Sequence, residues 1–207
     1  MPTDLILAFA SYAFVTSITP GPNNGMLLAS GANFGFARTI PHIAGINLGF
    51  GAMVLAVGLG AGSLFTQWPA LFLVVKLIGA SYLAYLAWRI ATASAPDGDA
   101  NLGSPMTFIA AAAFQWVNPK AWIMVIGALS TYLPVTGGTG AVVALATIYV
   151  LVNLPCIIVW AASGVAVRRI LTTPTHLAIF NRVMAGLLLI SLLPIVNDIA
   201  SIVRQSM

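Results

Sequence analysis

Few residues in this chain can do chemistry, and most of them sit at two proline-bearing breaks. Thr19-Pro20-Gly21-Pro22-Asn23, with Asn24 next in line, interrupts the first apolar stretch. Asn118-Pro119-Lys120, with Gln115 a turn earlier, interrupts the fourth. Proline removes a backbone donor, and its ring clashes with the preceding turn. A helix restarting after such a break presents free N–H groups and the positive end of its dipole. A carboxylate is the natural guest for that end. Lys120 adds a full positive charge, and Thr19, Asn23, Asn24, Gln115 and Asn118 add neutral donors and acceptors. The plainer alternative is a pair of kinks, with the asparagines and the lysine bonding loosened carbonyls. Breaks at matching places in two halves of an apolar chain favour a substrate site.

The remaining candidates are sparse. There is no glutamate, and aspartate occurs only at positions 4, 97, 99 and 198. Asp198 is therefore the one carboxylate expected within an apolar helix, and Lys76 lies in the third apolar stretch. The two can pair across a helix bundle, with Asp198 as a proton carrier. Alternatively, Lys76 reaches to the membrane interface and Asp198 is solvated. A desolvated lysine can also carry a proton, which makes Lys120 the other candidate. Asn47 and Asn153 interrupt the second and fifth stretches, and such asparagines more often join helices than bind ligands. Asn153-Leu154-Pro155 reads as a further kink. His42 and His176 read as solvated loop residues. Cys156 stands alone in an apolar run and reads as a small buried hydrophobe. No metal or other cofactor is expected.

These residues need elements to position them, and composition says which. Hydrophobic residues make up 60% of the 207 positions and charged ones 6%, against about 25% charged in a soluble domain. So few charges cannot cover a water-facing surface, so the bilayer is the expected solvent. The eight Lys and Arg residues are spread along the chain, with only Arg168 and Arg169 adjacent, and this lack of clustering argues against nucleic acid as a partner. A spanning helix needs about 20 apolar residues. Six stretches qualify: Leu5–Leu28, Ile40–Leu64, Ala70–Ile90, Met106–Tyr132, Ala141–Val165 and Val183–Val203.

The predicted fold is thus an all-α integral membrane protein, a single transmembrane domain of six helices. Residues 1–91 form one three-helix repeat, residues 92–105 a polar cytoplasmic linker, and residues 106–207 a second repeat. Three is odd, so the second repeat enters the membrane inverted relative to the first. Helices 1 and 4 are the ones broken at prolines. Arg38, Arg89, Arg168, Arg169 and Arg182 collect on one side and Arg204 on the other. By the positive-inside rule, both termini are then periplasmic. Trp68, Trp88 and Tyr132 fall near helix ends, where amphipathic rings sit at the interface. Gly45-x-x-x-Gly49, followed by Gly58, Gly60 and Gly62, allows close helix approach. Packing within one bundle is the preferred reading of these glycines, and a homo-oligomer remains open.

Thr19-Pro20-Gly21-Pro22-Asn23, Lys76-x-x-Gly79-Ala80-x-Tyr82-Leu83 and Asn118-Pro119-Lys120, in that order, resemble the LysE/RhtB family of bacterial amino-acid exporters. The similarity covers essentially the whole chain. Thr19–Asn24, Trp88-Arg89-Ile90-Ala91-Thr92 and Phe114-Gln115-Trp116-Val117-Asn118 look most like its cysteine/O-acetylserine exporter branch. The resemblance implies an inner-membrane exporter of small neutral amino acids or close derivatives, driven by the proton gradient. Some family members that export lysine or arginine carry an acidic residue in the second helix. Here the polar residue is Asn47, which argues against a cationic substrate.

Other classes fit less well. A channel would show rings of charge or a carbonyl filter, and an exporter of another small solute remains the alternative within the transporter class. An enzyme would need a nucleophile with its base, or metal ligands. No Gly-x-x-x-x-Gly-Lys-Ser/Thr loop is present, so ATP is not the direct driver within this chain.

Overall fold

The computed structural model describes residues 2–63, 67–93, 104–134, 138–193 and 196–197. Eight α-helices lie within these residues: α1 (Thr3–Ile18), α2 (Pro22–Phe34), α3 (Phe36–Ala56), α4 (Pro69–Ala91), α5 (Phe108–Gln115), α6 (Pro119–Tyr132), α7 (Thr139–Arg168) and α8 (Pro174–Ile190). A π-helical turn, Val57–Ala61, continues α3. There Gly60 adopts φ 115°, a value that only glycine takes readily.

Proline dictates where four of these helices begin. Pro22, Pro69, Pro119 and Pro174 each occupy the first helical position, where a missing N–H is harmless. The residue before a proline is pushed away from helical ψ. Asn118 and Thr173 are accordingly extended, with ψ 112° and ψ 151°. Thr19, before Pro20, is extended too and ends α1. Both breaks thus form where the sequence places them, and α1 and α2 meet at a 55° bend.

Phe36–Ala61, Leu73–Ala91 and α7 are each long and apolar enough to cross a membrane, and α1 with α2 qualifies as one bent span. Helix α8 is apolar but has 17 residues. The outward faces are greasy: Ile109, Ile123 and Leu151 are 76%, 72% and 66% exposed. In water such a surface would aggregate, whereas against lipid it is expected.

Helix α7 packs on α1, α2 and α3, while α3 also packs on α5, and α4 on α8. The closest approaches use glycine. A Cβ on Gly31 would meet the Ala161 carbonyl oxygen, and one on Gly164 would meet that of Leu28. Gly45 and Gly49 likewise lie against Phe108 and Ala112 of α5. The Gly45-x-x-x-Gly49 spacing therefore serves packing inside the bundle. Phe9, Phe50 and Tyr149 form an edge-on aromatic cluster between α1, α3 and α7.

Three expectations are corrected. The helix expected over Val183–Val203 starts nine residues earlier, at Pro174, and α8 ends at Ile190 in a turn; most of the expected remainder lies outside the described residues. Thr173 caps α8 by accepting from the His176 N–H at 3.2 Å. Its polar first turn had masked this start from a reading by hydropathy. His176 is accordingly a helical residue, though exposed. His42 is not in a loop either. Helix α3 begins at Phe36 and runs through Pro41, so His42 is turned inward and only 2% exposed. Its ring nitrogens have no hydrogen-bond partner among the described residues. Helix α7 runs through Pro155 as one helix, Thr139–Arg168.

The glycine contacts carry a prediction. Gly31→Ala and Gly164→Ala should each lower thermal stability in detergent by about 1–3 kcal/mol, because backbone cannot yield as a side chain does. Among the described residues, nothing lies within 4 Å of a Cβ added to Gly186. Gly186→Ala should therefore be neutral or gain up to about 1 kcal/mol. Equal stability for all three variants would contradict the packing described.

Candidate functional site: a cleft between two helix breaks

The first break leaves a row of carbonyls without helical partners, and nearly every one finds a donor from elsewhere. Asn24 Nδ2 donates to the Ser17 and Thr19 carbonyls, both at 2.8 Å. Trp160 Nε1 donates to Ile18 O at 3.0 Å. Lys120 Nζ donates to Thr19 O at 2.8 Å, Thr19 Oγ1 at 3.0 Å and Pro20 O at 3.1 Å. An ammonium has three hydrogens, so Lys120 is fully engaged. It arises from the second break and bonds the first, across about a hundred residues of chain.

The two breaks are braced a second time by side chains. Asn23 Nδ2 donates to Gln115 Oε1 at 2.8 Å, and Gln115 Nε2 returns a bond to Asn23 Oδ1 at 3.3 Å. Gln115 is 0% exposed and also holds the Ala111 carbonyl. At the second break, Asn118 Oδ1 caps α6 by accepting from the Lys120 backbone N–H at 3.1 Å. Trp122 Nε1 bonds Trp116 O at 2.8 Å. Gly79 of α4 lies directly on this break, where a Cβ would meet Val117 O.

The two helix starts differ. Asn118 caps α6, but among the described residues no side chain caps α2. The first N–H groups of α2, at Asn23 and Asn24, are therefore free to take an anion. A cleft of about 360 Å³, counted with its open mouth, lies beside them. Gly21, Asn23, Asn24, Asn118 and Lys120 line its polar wall. Ile46, Phe50, Met124 and Ile157 line the apolar one. Asn153 lines it as well, and donates from Nδ2 to Asn47 Oδ1 at 2.9 Å.

The predicted residues of the two breaks thus come together. Asn47 and Asn153 join α3 to α7 beside the cleft, in keeping with helix-joining asparagines. Asp198 and the side chain of Lys76 lie outside the described residues. Sequence reasoning missed Thr16 and Ser17, which also line the cleft. The Thr16 hydroxyl is 2.7 Å from Tyr149 Oη. It also missed the reciprocal amide pair of Asn33 and Asn181, with bonds of 2.8 and 2.9 Å. Nothing in the local sequence distinguishes these residues from ordinary helix positions.

Gly21 supplies a test of the brace. Its φ of 178° is extended backbone open to any residue, so its role is steric. An added Cβ would sit 2.6 Å from Lys120 Cδ. Gly21→Ala should therefore displace the flexible lysine at a stability cost below about 1 kcal/mol while lowering transport. Combined with Lys120→Met, it should add little further loss, because both changes remove one interaction. Additive losses in transport assays would show that the two residues act separately.

Residues 14–192 match the family model described as LysE type translocator. A cysteine/O-acetylserine efflux protein of Salmonella choleraesuis is 35% identical over 166 residues, covering 80% of this chain and 85% of the relative. The corresponding protein of Escherichia coli strain K12 is 33% identical over 171 residues, covering 82% and 87%. No solved structure matches the chain.

Proposed function

Since the chain belongs to the LysE type translocator family, we propose that it is an exporter of small neutral amino acids or their derivatives, of the cysteine and O-acetylserine kind, from the bacterial cytoplasm across the inner membrane. The observation that carries this reading is the joining of the two breaks at one cleft, with an uncapped helix start and an ammonium side by side. That pair suits an amino-acid carboxylate. The apolar wall suits a short uncharged side chain. Among the described residues no aspartate or glutamate lines the cleft, which suits a substrate without a second positive charge.

The reading includes a mechanism of alternating access. α1–α2, α3 and α4 form one repeat, and α5–α6, α7 and α8 the inverted second. The pairing of α2 with α7 and of α3 with α5 supports this, since each broken span lies against the middle helix of the other half. Both termini are then periplasmic. Lys120 is the latch between the halves. A substrate carboxylate that replaces its bonds to Thr19 and Pro20 loosens one break from the other. A ligand shifts a conformational equilibrium only through such differential contacts. The proton gradient supplies the energy, with Asp198 as carrier and Lys120 as the alternative.

Efflux from proteoliposomes loaded with labelled cysteine, O-acetylserine or lysine tests the reading. The first two should leave faster than lysine. Asn23→Ala and Lys120→Ala should each lower the rate at least tenfold while the protein still reaches the membrane; wild-type rates in both would reduce the breaks to structural features.

The coupling is tested separately. Asp198→Asn should abolish uphill accumulation under an imposed pH gradient and spare downhill exchange. If uphill transport persists, the carrier lies elsewhere, with Lys120 next in line.

A further inference from the structure

We propose that the Ser17 hydroxyl, together with the free amide oxygens of Asn24 and Asn153, forms the pole of the cleft that takes the ammonium group of a zwitterionic amino acid. The proposal rests on the export reading and names the second point at which the substrate is held.

Ser17 is the anomaly that leads there. It is 3% exposed and lines the cleft, yet its Oγ has no hydrogen-bond partner among the described residues. A buried hydroxyl without a partner destabilises a fold. Other helical serines avoid this by bonding back along their own helix, as Ser11 does to Leu7 O and Ser191 to Leu188 O. The equivalent oxygens for Ser17 are those of Ala13 and Phe14, and its hydroxyl bonds neither of them. The Ser17 hydroxyl is left for the cleft.

Two further oxygens share its situation. Asn24 spends its amide hydrogens on Ser17 O and Thr19 O, which fixes the orientation of the group and leaves Oδ1 free. Asn153 donates to Asn47 and likewise keeps its Oδ1. Both residues line the cleft. An ammonium offers three hydrogens and needs three acceptors.

The backbone sets the polarity. Ser17 belongs to the last turn of α1, whose dipole end is negative, while α2 begins at Pro22 with its positive end. The break therefore sets two opposite helix ends beside one another, and a zwitterion matches both. Neutral acceptors hold the ammonium without adding charge to balance a second cation. Beside Lys120, a dicationic amino acid meets net repulsion.

Counterflow of labelled cysteine in proteoliposomes distinguishes the poles, with cysteine, 3-mercaptopropionate (no ammonium) and cysteamine (no carboxylate) as competitors. Ser17→Ala should keep or raise the thermal midpoint, because it removes an unpartnered polar group. Its half-saturation for cysteine should rise about tenfold, the loss expected for one hydrogen bond to a charged group. Inhibition by 3-mercaptopropionate should not change. Unchanged cysteine affinity, or an equal loss for both compounds, overturns the proposal. Asn153→Asp gives an independent arm: a carboxylate at this pole should strengthen inhibition by cysteamine, and no change counts against it. If the wild-type protein shows no counterflow of cysteine or O-acetylserine, the export reading fails first and this one with it.

Discussion

A carbonyl that loses its helical partner inside a membrane has no water to turn to. That constraint organises this molecule. The break at Thr19–Gly21 exposes the oxygens of Ser17, Ile18, Thr19 and Pro20, and each is met by a donor from a side chain. Irregular backbone at membrane depth survives only where protein or a wet cavity answers it. Lys120 is the decisive donor, since a charge placed there needs partners as much as the carbonyls do. Each group makes the other tolerable. The cleft forms where this mutual need brings the two breaks together.

Close helix approach is the second requirement. Lys120 can reach Thr19 and Pro20 only if the broken spans lie near one another. The glycine contacts of α2 with α7, and of α3 with α5, hold the scaffold that sets this distance. Lipid offers little hydrophobic drive for helices to associate, so packing and hydrogen bonds supply it. The Asn47–Asn153 and Asn33–Asn181 bonds are the polar part of that drive. Phe50, on the apolar wall of the cleft, packs edge-on against Tyr149.

The sequence made some of this legible. Proline acts on its own neighbours, so both breaks and their half-helix starts follow from local covalent rules. The apolar runs follow from composition. Thr173-Pro174 is equally local, and attention to it rather than to hydropathy would have placed the start of α8. The inward turn of His42 required knowing which face of α3 is buried, which depends on the helices around it. The partners of Lys120 and the isolation of Ser17 depend on contacts over long sequence separations. No pattern in a single chain encodes these, because they arise only once both halves are folded together.

Gly21 and Lys120 have a consequence for descent as well as for mechanism. One residue is small because the other's stem lies across it, at 2.6 Å from where a Cβ would stand. Neither can enlarge or shift alone without disturbing the join between the halves. Along a lineage the two positions are expected to move as a unit, a larger residue at 21 arriving with a shorter or redirected one at 120. Two helix breaks that share one contact lose the freedom to diverge independently at the point where they meet.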